Sequence, residues 1–134
     1  MKAFGEMKRK GRGAPAYQAK EQAIETQIRH FLNLKGIFHW KAKTVGTFDQ
    51  KRGVFRQNAS YMKGVSDILG LHKGKLIAIE VKSAKGAVRP EQKVFIDEVN
   101  KRGGFAFVAR SVEDVQEKLK EMEGAQNDNP KTSE

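Results

Sequence analysis

A chain of 134 residues has room for one domain with a core of moderate size. Its 38% hydrophobic and 31% charged content suits a globular fold with polar ends, and the absence of Cys excludes disulfides and thiolate metal sites. The 26 basic and 16 acidic residues leave a net charge of +10, which favours encounter with nucleic acid or an anionic surface. Charge alone fits a merely soluble basic protein equally well.

Residues 1–18 carry Lys2, Lys8, Arg9, Lys10 and Arg12 between Gly and Pro residues. They read as a disordered basic arm, either a phosphate-seeking extension or an ordinary frayed terminus. The opening Met1-Lys2-Ala3-Phe4-Gly5-Glu6 lacks the apolar core of a signal peptide, and no apolar run nears the ~20 residues that span a bilayer. A cytoplasmic protein with no membrane segment is expected. The folded domain is predicted over residues 19–122, with residues 123–134 as a disordered tail.

From about Ala19 to Lys35, the spacing of Ile24, Ile28, Phe31 and Leu32 predicts a helix with one apolar stripe. Glu21 falls within that stripe and Glu25 towards its edge. A carboxylate there is either a first-turn residue favoured by the helix dipole or part of a site. Gly36 ends the helix, and Ile37 to Ala42 reads as a strand with Phe38, Trp40 and Ala42 on one face. His30, His39 and His72 lack zinc-ligand spacing and read as structural or solvent-facing. Lys43 to Lys63 is a long basic stretch predicted as a loop, with Lys43, Lys51, Arg52, Arg56 and Lys63 as phosphate contacts. The interleaved Trp40, Phe48, Phe55 and Tyr61 either stack on unpaired bases or pin the loop to the core. For the rings, pinning is the preferred reading.

Gly64-Val65-Ser66-Asp67-Ile68-Leu69-Gly70 and Ile77-Ala78-Ile79-Glu80-Val81-Lys82 then flank a short Gly-containing break, as in an antiparallel hairpin. With Lys73-Gly74 as its two-residue turn, Asp67 faces Glu80, and Lys82 shares the face of Glu80. Opposed like charges destabilise a strand pair, so the pattern calls for a cation between them. Ile68, Ile77, Ile79 and Val81 are predicted on one face, with Leu69, Leu71, Leu76 and Ala78 on the other, burying the hairpin on both sides. Lys85 and Arg89 lie on the loop after it. Pro90 opens a helix whose apolar face is assigned to Val94, Phe95 and Val99. Phe105 to Ala109 is a short strand, and Ser111 with Asp114 caps a last helix.

This ordered set, Asp67, Glu80-Val81-Lys82-Ser83 and Arg89-Pro90-Glu91-Gln92, resembles the VRR-NUC branch of the PD-(D/E)XK nucleases. Ser66 stands where the superfamily name has proline. The resemblance implies an α/β fold, a restriction-endonuclease-like αβββαβ core around a mixed four-stranded sheet. It implies Asp67, Glu80, the Val81 carbonyl and a first-helix glutamate, Glu21 with Glu25 in reserve, as holders of Mg2+ or Mn2+. It also implies Lys82 as the residue that positions or deprotonates water, and Gln92 as a contact to phosphate or to a water on the metal. The implied protein is an Mg-dependent endodeoxyribonuclease acting in DNA repair on branched DNA such as Holliday junctions. It would be a homodimer without small-molecule cofactor, in the host cytoplasm if viral. A flap or end-processing nuclease of the same fold and a non-catalytic basic binding module are the alternatives.

Overall fold

In the computed structural model, residues 16–42, 47–49, 51, 53–56 and 62–127 are described. Helix α1 (Ala16–Leu34) leads into strand β1 (Phe38–Lys41). Strands β2 (Thr47–Asp49), β3 (Val54–Arg56), β4 (Ile68–His72) and β5 (Lys75–Val81) follow. Helix α2 (Pro90–Lys101), strand β6 (Phe105–Ala109) and helix α3 (Val112–Asn127) complete the chain. The main sheet has the order β1-β4-β5-β6, antiparallel except for the parallel β5–β6 pair. This is the expected mixed α/β core, flanked by three helices.

Local chemistry explains the hairpin. Lys73 and Gly74 both have positive φ, 53° and 80°, the backbone of the two-residue turn that matches strand twist. That turn sets the predicted register, from His72↔Lys75 to Ile68↔Ile79. Alternation then sends Ile68, Ile77, Ile79 and Val81 into one core with Ile28 and Leu32 of α1 and with Val115, Leu119 and Met122 of α3. Glu21 continues the α1 stripe at Ile24, Ile28 and Leu32, where the last two are fully buried.

Four expectations are corrected. The stretch from Lys43 to Lys63 contains an antiparallel pair, Phe48↔Phe55 at its centre, because β-branched and aromatic residues flank a turn there. The hairpin is not buried on both sides: Leu71 of β4 is 49% exposed. Val94 is exposed too, and the inward positions of α2 are Gln92, Phe95 and Val99. Helix α3 continues past Gly124 to Asn127, because Met122 is still buried and Glu123 reaches His72 at 3.3 Å and Lys73 at 3.8 Å.

Capping agrees more closely with expectation. Ser111 Oγ accepts the Asp114 N–H at 3.2 Å, while Asp114 Oδ2 accepts the N–H of Arg110 at 2.8 Å. At the outer edge of β6, the Asn100 side chain exchanges two bonds with Ala106, 2.9 Å to its carbonyl and 2.7 Å from its N–H. An amide on α2 thus occupies part of an otherwise open strand edge. No helix among the described residues is long and apolar enough to cross a membrane.

Candidate active site

The site grows out of the place where β4 stops pairing. The ladder ends at Ile68↔Ile79, so the next N–H on that side of β5, that of Val81, needs another acceptor. Asp67 Oδ2 supplies it at 2.8 Å. The Asp67 carbonyl meanwhile accepts from Ala42 N at 2.8 Å, extending the β1–β4 pairing by one residue. Asp67 is therefore fixed from both sides at the end of the sheet.

Alternation and register put Glu80 and Lys82 on the same face as Asp67. Glu80 is 1% exposed, and an isolated ion there is costly. Its Oε2 accepts from Gln92 Nε2 at 2.8 Å and lies 3.7 Å from Lys82 Nζ, itself nearly buried. The amide of Gln92 is committed at both ends, since Oε1 also accepts the Arg89 N–H at 2.9 Å. Gln92 is buried at 1% exposure. From there it orients Glu80, and its inward place on α2 removes it from solvent.

A close approach ties this helix to the Asp67 loop. Gly64 has φ +83°, and a Cβ there would sit 2.2 Å from the carbonyl oxygen of Glu91. Only glycine allows the loop to pass over the first turn of α2. The glycine that opens the Gly-Val-Ser-Asp stretch thus has a packing reason.

Glu21 lies over the loop that follows β5. Its Oε2 is 3.4 Å from Ser83 N and would be 3.0 Å from a Cβ at Gly86. Glu25 turns to Lys41, 3.6 Å away, so Glu21 is the first-helix acid nearer the site. Among the described residues, however, no three His, Cys, Asp or Glu side chains converge as a metal cage. Glu21, expected to join Asp67 and Glu80 directly or through water, is engaged with the backbone of the loop.

Sequence reasoning missed Arg110. Its Nη1 donates to the carbonyls of Ser83 at 2.6 Å and Gly86 at 2.8 Å, with Ala84 at 3.4 Å. The guanidinium sets the path of the loop bearing Lys85 and meeting Glu21. No local pattern marks this role, since the partners are 24 to 27 residues away. Of the expected phosphate contacts, Lys51, Lys63, Lys85 and Arg89 are exposed, and Arg89 lies 3.7 Å from Glu91. Arg56 belongs to β3, while Lys43 and Arg52 fall outside the described residues. A groove of about 720 Å³ beside α2 is lined by Met62, Leu76, Val94, Phe95 and Val99 and by none of Glu21, Asp67 and Glu80. The acids sit instead beside an open stretch of sheet, which suits an extended polymer more than an engulfed small molecule.

Hard oxygen donors, two carboxylates with the Val81 carbonyl alongside, are the set magnesium or manganese accepts, because magnesium commonly takes one or two carboxylates and keeps several waters. The donor chemistry therefore fits the implied ion. Comparison with curated proteins and with solved structures finds no match. The VRR-NUC domain model, in contrast, matches residues 18–113, from α1 through the start of α3. The chain belongs to the VRR-NUC family and is a nuclease of the PD-(D/E)XK type.

Proposed function

We propose that this nuclease is a metal-dependent, structure-specific endonuclease that hydrolyses phosphodiester bonds in branched DNA such as four-way junctions. The observation that carries the chemistry is Glu80, buried and clamped between Gln92 and Lys82 on the face shared with Asp67. Removing one partner of a buried charge pair leaves the other uncompensated, at about 3–5 kcal/mol. A binding module would have no use for so costly an arrangement.

Asp67, Glu80 and the Val81 carbonyl would hold Mg2+ or Mn2+. When bound, the ion supplies Lewis-acid polarisation of a phosphoryl oxygen and eases loss of a proton from water. The remaining work belongs to the chain. Lys82 Nζ directs the attacking water and stabilises negative charge developing on phosphorus as one P–O ester bond breaks. Gln92 keeps Glu80 in one orientation, which holds the ligand set ready before substrate arrives. Glu21 and Arg110 hold the loop after β5, and Lys63, Lys85 and Arg89 offer exposed charge to the phosphate backbone.

So small a domain has little surface for base readout, which favours recognition by backbone and shape. One site cuts one strand, so paired cuts across a junction need two sites, and a twofold dimer is the simplest closed arrangement. The test is cleavage of labelled four-way junction, flap, duplex and single-stranded DNA with magnesium, manganese or chelator, beside Glu80→Ala and Lys82→Ala. Symmetric metal-dependent nicks in the junction, absent in both variants, are expected. Cutting of flaps or ends alone keeps the chemistry and removes the junction. No cutting, with equal DNA binding by all three proteins, removes catalysis.

A further inference from the structure

Among the described residues, the face that carries Asp67 and Glu80 continues with exposed side chains across β4 to β1, at the edge of the main sheet. On it lie Phe38, Trp40 and Leu71, which are 68%, 38% and 49% exposed. Register places Phe38 opposite Leu71 and Trp40 opposite Leu69, so these side chains share the face of the acids. The two rings are tilted neighbours, with centroids 5.4 Å apart. Most of the loop that Trp40 was expected to pin lies outside the described residues.

We propose that this open half of the sheet face is a stacking platform for unpaired bases of the DNA strand leading into the site. The proposal rests on the nuclease reading above and adds where the substrate strand runs. Continuity is the first argument. Ala42 is bonded to Asp67 at 2.8 Å, and Trp40 is two residues back along β1, about 7 Å at the rise of a strand. Phe38 follows about 7 Å further on. Two aromatic rings therefore line a path away from the acids, on the same side of the sheet.

Chemistry is the second argument. Any base offers a π-face to an aromatic side chain, so stacking needs no sequence readout, and a chain of net charge +10 holds the accompanying phosphates. Exposed rings on a sheet are a recurring surface for splayed single strands. A paired duplex buries its base faces and gains nothing from such a platform. Branched and flapped substrates expose unpaired bases, and the platform would select for them.

Trp40 is the only tryptophan of the chain, so its emission reports directly on the platform. The full chain is titrated in chelator with labelled oligothymidylate and, separately, with blunt duplex, with anisotropy reading binding. Quenching of Trp40 that follows oligothymidylate binding, and is weaker with duplex, is the expected result. Trp40→Ala and Phe38→Ala should each weaken oligothymidylate binding by about 5- to 100-fold, with far-UV circular dichroism checking the fold. Binding without quenching overturns the proposal, as do equal quenching by duplex and failure to bind the oligonucleotide. An emission shift that follows protein concentration alone, unaffected by oligonucleotide, assigns the face to a second copy of the chain and also overturns it. Restoring magnesium separates the two readings: quenching without cleavage of any substrate removes the nuclease and leaves the platform, while cleavage with unquenched Trp40 does the reverse.

Discussion

The sheet face that carries the acids has two halves. Over β5 and β6 it lies beneath α2, and Ala78, Glu80 and Ala106 are buried there. Over β1 and β4 the same face stays open at Phe38, Trp40 and Leu71. Both halves have the same pleat, and the larger apolar side chains, Phe38, Trp40 and Leu71, lie on the open one, so hydrophobicity does not explain the burial. What differs is whether a helix lands on them. The covered half gives Glu80 a dry setting in which its contacts to Gln92 and Lys82 are strong. The open half leaves Phe38, Trp40 and Leu71 in contact with solvent.

The largest effects should come from breaking the covered half. Glu80→Ala and Lys82→Ala are expected to reduce cleavage by at least about 10²–10³-fold, measured as single-turnover rates on the preferred substrate. Stability should fall at both positions, because each substitution removes one half of a nearly buried pair. Lys82→Ala leaves Glu80 with a lost charge partner and should cost about 3 kcal/mol in denaturant unfolding. Glu80→Gln leaves the nearly buried Lys82 without its counter-charge and should cost a similar amount, while abolishing cleavage. Undiminished cleavage by Glu80→Gln would show that the acid is there for the fold.

Gln92→Ala comes next, at about 1–3 kcal/mol, because it removes a hydrogen bond from a buried charge. Cleavage should fall with it through a looser Glu80, and the apparent requirement for magnesium should rise. Arg110→Ala tests whether the loop after β5 must be held: faster amide exchange confined to residues 83–86, with slower cleavage, is expected. Glu21→Gln should slow cleavage more than Glu25→Gln, whose ion pair with Lys41 contributes only about 0–1 kcal/mol. The smallest effect belongs to the open half, where Leu71→Ser should change unfolding free energy by no more than about 0.5 kcal/mol. A large loss there would mean that the face is part of a buried interface.

Much of this was legible without coordinates because its causes are local. The turn at Lys73-Gly74 fixes a register, and register with alternation puts Asp67, Glu80 and Lys82 on one face. The stripe that includes Glu21 and the caps at Pro90 and Ser111 are local in the same way. Gln92 was singled out, but its bond to Glu80 was not foreseen, since a helical period says which residues share a side and not what that side meets. Arg110 could not be found because its partners are carbonyls on a distant loop, and any exposed Arg looks the same in one dimension. The short β2–β3 pair was missed where basic and glycine residues dilute the strand signal.

By itself, then, the sequence determined the order of the elements of the main sheet and its helices, the pairing of the central hairpin and the acids and amine that belong together. Spacing along a strand or helix determines direction, and a two-residue turn determines register. Only the tertiary structure decided that α2 closes over Glu80 and stops short of Trp40. It also decided that Gly64 must yield to the Glu91 carbonyl and that Arg110 holds the loop beside Glu21. These depend on where one element ends over another, a relation between distant residues that no local pattern records.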